Sequence, residues 1–238
     1  MKPINHQGLL HGAWAAAVYS LKVNLMPGLF LQIIMACMAF AYFFHPATRN
    51  ALGALANLRS NWGIFFSFIG TSVSSAICPE LLRSLFPQIE NGKKYLPGIG
   101  IRLLFGVPFW GLMGIQVDLF YRFQYFLFGP STSAIVIAKK VFIDAFLYCP
   151  IIAVPQAVCA FLWRDHGFTF KGFHPHPPVH FYALNIFPVL MANWMVWIPI
   201  VCIIYALPTA LGIPFFIIAQ SFWVMVFTTL SARNTTPY

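Results

Sequence analysis

Only five acidic side chains occur in the 238 residues, and two of them, Asp118 and Asp144, stand inside apolar stretches long enough to cross a bilayer. An ionisable group at the centre of a spanning helix costs about 2.5 to 3.5 kcal/mol on insertion scales, so each needs a partner or water. Arg122 follows Asp118 by one helical turn, in the acid-first i, i+4 order that favours an ion pair, and Tyr121 and Tyr125 share that face. Lys140, Asp144 and Tyr148 recur every four residues and draw a polar stripe on an otherwise apolar cylinder. Two readings of these stripes are open. In one they line a solute path whose charges set selectivity by direct electrostatics. In the other they are ion pairs that fix packing, with Arg122 and Lys140 snorkelling toward headgroups. In either case Asp144 is expected to pair with Lys140 or, across helices, with Arg122. Arg102, after Gly98 and Gly100, is a candidate pore mouth or an interfacial anchor, and Trp194, Trp197 and Trp223 line a constriction or belong to an aromatic belt.

Other chemistry finds little support. His166, His174, His176 and His180 crowd one connector, and imidazole is the commonest metal ligand. Only Asp165 stands near them as an acid, however, and the prolines around His174 and His176 impose an extended segment rather than a metal-binding helix. Phosphate loops, nucleophile elbows and paired carboxylates on one helix are all missing. Cys37, Cys78, Cys149, Cys159 and Cys202 lie in apolar segments without CxxC spacing, which argues against disulfides and zinc. The expectation is no enzyme and no cofactor.

These residues must be positioned by membrane helices. Hydrophobic residues make up 60% of the chain and charged ones 8%, against roughly 25% charged in an ordinary globular protein. No charge interrupts Phe181 to Ala232, a stretch that holds two crossings at about 20 residues each. Earlier spans are expected over about 25–44, from Trp62 until Pro79 and Glu80 end it, over about 98–128 with a kink at Pro108, and over about 139–163. Arg49 and Arg59 then fall in a linker, and Glu90 to Lys94 in a surface loop. The fold class is therefore all-α: a polytopic transmembrane helical bundle of five or six spans. Small residues predict that the third span packs on the second through Gly111, Gly114, Gly70 and Ser74. The net charge of +9 is scattered through short connectors, which points to membrane lipids rather than nucleic acid as its partner. With six spans the basic excess lies with the two termini, placing both on the cytoplasmic or matrix side.

Three stretches carry a likeness to a known family. Lys139-Lys140-Val-Phe-Ile-Asp144, with Pro150 downstream, is similar to a Lys-x3-Asp-Gln motif in which Ala145 takes the Gln position. Gly114 to Tyr121 is similar to Gly-Pro-x2-His-x-Trp-Tyr, with Ile115, Asp118 and Phe120 at the Pro, His and Trp positions. Phe187-Pro188, Asn193-Trp194-x2-Trp197, Pro199, Pro208 and Leu230-Ser231 make the third, where Ile198 interrupts a Trp-Pro. Ala76-Ile77 stands where a Gly-Asp is expected. In this order and spacing the chain resembles the family of Mpv-seventeen and the 22-kilodalton peroxisomal membrane protein. The likeness divides the chain into residues 1–60, an N-terminal extension with one transmembrane helix, and 61–238, a family-like bundle.

The resemblance implies a small protein of the mitochondrial inner membrane, peroxisome or a related membrane that forms or assists a passive channel or pore for small solutes. It brings no cofactor, and it is compatible with a homo-oligomer. A bacterial inner membrane is the alternative location. The alternative functions are a structural or assembly protein without a path and, more remotely, a metal-dependent membrane enzyme.

Overall fold

The computed structural model describes residues 6–85, 98–131, 133–169 and 178–233. Among these the chain forms helices α1 (His6–Val23), α2 (Leu25–Phe44), α3 (Pro46–Trp62), α4 (Ile64–Leu85), α5 (Ile99–Phe128), α6 (Ala134–Asp165), α7 (Pro178–Ile204) and α8 (Thr209–Arg233), with no strand among the described residues. All but α1 and α3 are long and apolar enough to cross a membrane, which gives six candidate spans and an all-α bundle, as expected. The expected loop at Glu90 to Lys94, together with His174 and His176, lies outside the described residues.

Burial ranks the spans. Two thirds of the apolar window of α8 is buried (67%) but only 17% of that of α2, so α8 is the axis of the bundle and α2 its rim. Trp110 of α5, Phe161 of α6 and Phe227 of α8 meet at the centre, with ring centroids 4.8 to 6.0 Å apart and mostly edge-on. Such geometry suits the ring quadrupoles and adds to the dispersion gained by packing. The first sixty residues are not set apart in space: Ala13, Ala17, Ser20 and Asn24 recur at helical spacing and are buried as α1 lies along α7 and α8. Asn24 Nδ2 donates to Thr229 Oγ1 at 3.0 Å and ties the α1–α2 junction to the end of α8.

The small-residue prediction for α4 and α5 is half right. These two helices do pack intimately. A Cβ added at Gly114 would stand 2.6 Å from the Ser67 carbonyl oxygen, one added at Gly111 would overlap the Phe68 ring, and one at Gly106 would come 3.2 Å from Ala76 Cβ. Gly70, however, faces Ile217 of α8 and not α5. The true neighbours of the glycine face are Ser67, Phe68, Thr71 and Ala76, because one helix turns about 100° per residue and Gly70 falls outside that sector.

Two expected boundaries move. Pro79 and Glu80 do not end the second span: α4 runs on to Leu85 after widening to i→i+5 turns over Val73–Ile77. The same device recurs in α6 over Asp144–Ala153, around Pro150 and just ahead of Pro155, and in α7 over Tyr182–Ile186, just ahead of Pro188. A proline lacks an N–H and its ring strikes the carbonyl four residues back, and a widened turn lets the helix continue past it. The linker carrying Arg49 and Arg59 is likewise helical. It forms α3, with Pro46 at its first turn and no buried residue, and Arg49 Nη2 donates to the Phe43 carbonyl at 3.0 Å at the end of α2. A helix of this amphipathic, basic character suits the membrane interface. Gly129 closes α5 as expected, with φ of 71° and its N–H on the Tyr125 carbonyl.

Candidate functional site: two polar chambers and a buried ion cluster

The helix directions put Phe44, Phe128 and Ile204 at one end of the bundle and Leu85, Ile99 and Asp165 at the other. At the first end the polar faces of α5 and α6 meet. Gln116 Nε2 donates to Tyr148 Oη at 3.1 Å, Tyr121 Oη to Asp144 Oδ2 at 3.3 Å and Gln124 Nε2 to the Lys140 carbonyl at 3.2 Å. The numbers fall on α5 as they rise on α6, the register of an antiparallel pair. Gln116 and Gln124 were not among the expected site residues. Their signal was present in the sequence, as uncharged polar residues at near-helical spacing from Tyr121 inside an apolar span.

Two adjoining chambers open on this face. The outer, about 420 Å³, is lined by Arg59, Asp118, Tyr121, Tyr125, Gln124, Ser131 and Lys140, among others. The inner, about 100 Å³, is lined by Asp144, Tyr148, Asn193, Gln220, Trp194, Trp197 and Trp223, among others. Thr71, Gly114, Val117, Tyr121 and Phe216 belong to both walls. The expected stripe of Lys140, Asp144 and Tyr148 is thus shared between chambers. Side chains lean toward the start of their helix, and Lys140 Nζ reaches the Gly129 carbonyl at 3.0 Å.

Asp118 is buried and forms the expected ion pair with Arg122 Nε, at 2.7 Å. A second partner comes from α3, Arg59 Nη2 at 3.5 Å, which a linker reading of that segment concealed. Asp144 departs from expectation. Its carboxylate accepts from Tyr121 and from Cys149 Sγ at 3.5 Å, and no ion pair joins it to Lys140 or Arg122 among the described residues. Arg122 is committed to Asp118 one turn back along α5, and Lys140 is drawn toward Gly129.

Arg102 lines neither chamber. Its guanidinium holds Glu80, Nε to Oε1 at 2.9 Å and Nη2 to Oε2 at 2.5 Å, at the opposite end of the bundle. Glu80 also pairs with Arg83, whose Nη2 donates to Thr228 Oγ1 at 2.8 Å. Arg164 lies beside this group, with Nη2 2.6 Å from Asp165 Oδ1 and its guanidinium carbon 4.2 Å from the Phe161 ring centroid. Glu80, Arg83, Arg102 and Arg164, from α4, α5 and α6, are therefore gathered around Thr228 of α8, and Asp165 joins them through Arg164, which makes three arginines and two acids. All five sit at span ends in the sequence and invite an interfacial reading there. In the bundle they are largely shielded from the surface and pair with one another. The aromatic layer of Trp110, Phe161 and Phe227 touches both this cluster and the inner chamber, and so separates them.

His166 hydrogen-bonds the Leu162 carbonyl through Nδ1 at 2.8 Å, and no group of three or more metal-binding side chains forms among the described residues. No protein-family model, curated protein or solved structure matches the chain.

Proposed function

We propose that this integral membrane protein conducts small solutes passively, through the two chambers between α4, α5, α6, α7 and α8. The reading rests on one observation. The polar faces of α5 and α6, which lipid would penalise, turn onto adjoining cavities of about 420 and 100 Å³ with a shared wall. Polar side chains inside a bundle are tolerated where they pair or meet water, and these pair with one another and border cavities. The aromatic layer then acts as the barrier of the closed state and the Glu80 cluster as its backing. A resemblance to the Mpv-seventeen family, with an organelle membrane as the location, agrees with this reading. The alternative is a protein without a path, favoured by one feature: Glu80, Asp118 and Asp165 are each held by arginine, as packing charges would be.

Purified protein in liposomes, assayed for efflux of trapped solutes of graded size, tests the proposal. Efflux above that of empty liposomes, raised further by Trp110→Ala in the aromatic layer, is the expected result. Vesicles as tight as empty ones for both proteins would leave the structural alternative standing.

A further inference from the structure

The acids of the described chain divide unequally. Asp118 has Arg59 and Arg122, Glu80 has Arg83 and Arg102, and Asp165 has Arg164. Asp144 alone among the described acids has no arginine or lysine in an ion pair, and its two donors, the Tyr121 hydroxyl at 3.3 Å and the Cys149 thiol at 3.5 Å, are neutral and long. It is also the only charged side chain on the wall of the inner chamber. Three indoles line the same chamber, those of Trp194, Trp197 and Trp223. The Trp194 N–H is already given to the Ala145 carbonyl at 2.7 Å, so what this residue adds to the wall is aromatic carbon.

We infer that the inner chamber is a binding site for a small organic cation, an alkyl- or methylammonium group, with Asp144 as counter-ion and the tryptophans as an aromatic cage. The inference deepens the channel reading, whose solute it names by class, and it rests on that reading for its role in transport though not for binding. Electrostatics selects the sign. An anion would meet the Asp144 charge with no cation on the wall, and two like charges 4 Å apart repel by about 4 kcal/mol even at an effective dielectric of 20. A neutral solute would leave the carboxylate as it is. A cation supplies the missing charge and lies on the negative faces of the indoles, a contact worth about 2 kcal/mol when desolvated. Size narrows the class. At about 30 Å³ per water the chamber holds some three waters, room for an ammonium with a few carbons and not for a nucleotide or peptide. The cations of the outer chamber do not contradict the assignment: Arg59 is held by Asp118 and 42% exposed, and Lys140 reaches toward Gly129.

The test is binding, measured apart from flux. The full chain in phosphatidylglycerol nanodiscs, which carry no ammonium headgroup, is titrated with tetramethylammonium chloride against sodium chloride at equal ionic strength. Tryptophan fluorescence and the melting temperature are followed. A saturable response is expected, weakened at least tenfold in Asp144→Asn and severalfold in Trp197→Leu. No saturable response in the parent, an equal response to sodium acetate, or unchanged affinity in Asp144→Asn overturns the site. If Asp144→Asn fails to fold, Trp197→Leu, which keeps the carboxylate, decides: unchanged affinity overturns the cage. Repeating the titration in phosphatidylcholine discs separates the sources. A response lost there means that the lipid's own choline fills the chamber, and one retained means a free solute; both keep the ammonium site. Binding without efflux from liposomes would sink the channel and keep the site, whereas efflux without binding would do the reverse.

Discussion

Glu80→Gln is expected to be the most destabilising conservative change in the described chain. The Glu80 side chain is 10% exposed and holds Arg83 (5%) and Arg102 (14%) at once. Neutralising it removes the one carboxylate that both guanidinium groups share, in a gap of about 20 Å³ that Arg164 also lines. Removing one member of a buried pair costs about 3 to 5 kcal/mol, because the partner keeps its charge in a place that water does not reach freely. For a chain of this size 1 kcal/mol corresponds to about 2 to 4 °C, so the melting temperature falls by about 6 to 20 °C. Asp118→Asn is the internal comparison. That acid is as buried, but Arg122 is 59% exposed and Arg59 42%, so both cations are hydrated once released. Exposed pairs are worth about 0 to 1 kcal/mol, and the expected shift is a few degrees at most. Thermal unfolding of both variants in one detergent, read by fluorescence, measures the difference. The reasoning is refuted if Glu80→Gln melts within 3 °C of the parent, or if Asp118→Asn falls further than Glu80→Gln.

Two glycines give opposite expectations. Gly114→Ala places a methyl 2.6 Å from the Ser67 carbonyl oxygen, a backbone atom that cannot swing away, and should cost about 1 to 3 kcal/mol in the same assay. Gly53→Ala, in α3 with nothing within 4 Å, should instead add about 0.5 to 1 kcal/mol through helix propensity. Gln116→Leu and Gln124→Leu each remove one rung between α5 and α6, at about 0.5 to 1.5 kcal/mol apiece. Eight residues of helix put the two rungs about 12 Å apart, so the double variant should lose the sum of the two; a clear shortfall would show the ladder acting as one unit.

Some of this protein was decided by local composition. Apolar runs of bilayer length can satisfy their backbone groups only as helices, so the all-α class and the spans 25–44 and 99–128 follow from residues adjacent in the chain. The Asp118–Arg122 pair follows for the same reason, since one turn of helix brings the partners together whatever surrounds them. The convergence of Asp118 and Asp144 on one face was also legible, as two polar stripes that lipid would reject.

Tertiary structure decided the rest. Asp144 lost its expected lysine because Gly129, at the end of another helix, offered Lys140 a carbonyl. Glu80, Arg102 and Arg164 look like ordinary span-end charges one by one, and only the antiparallel stacking of α4, α5 and α6 brings them to one level beside Thr228. Pro79 reads as a stop because local rules end a helix there, yet packing against α5 and α8 outweighs the cost of the widened turn that carries α4 past it. Periodicity specifies which residues share a face of one helix. Which faces meet, and therefore which charges neutralise one another, depends on long-range packing that no single span contains.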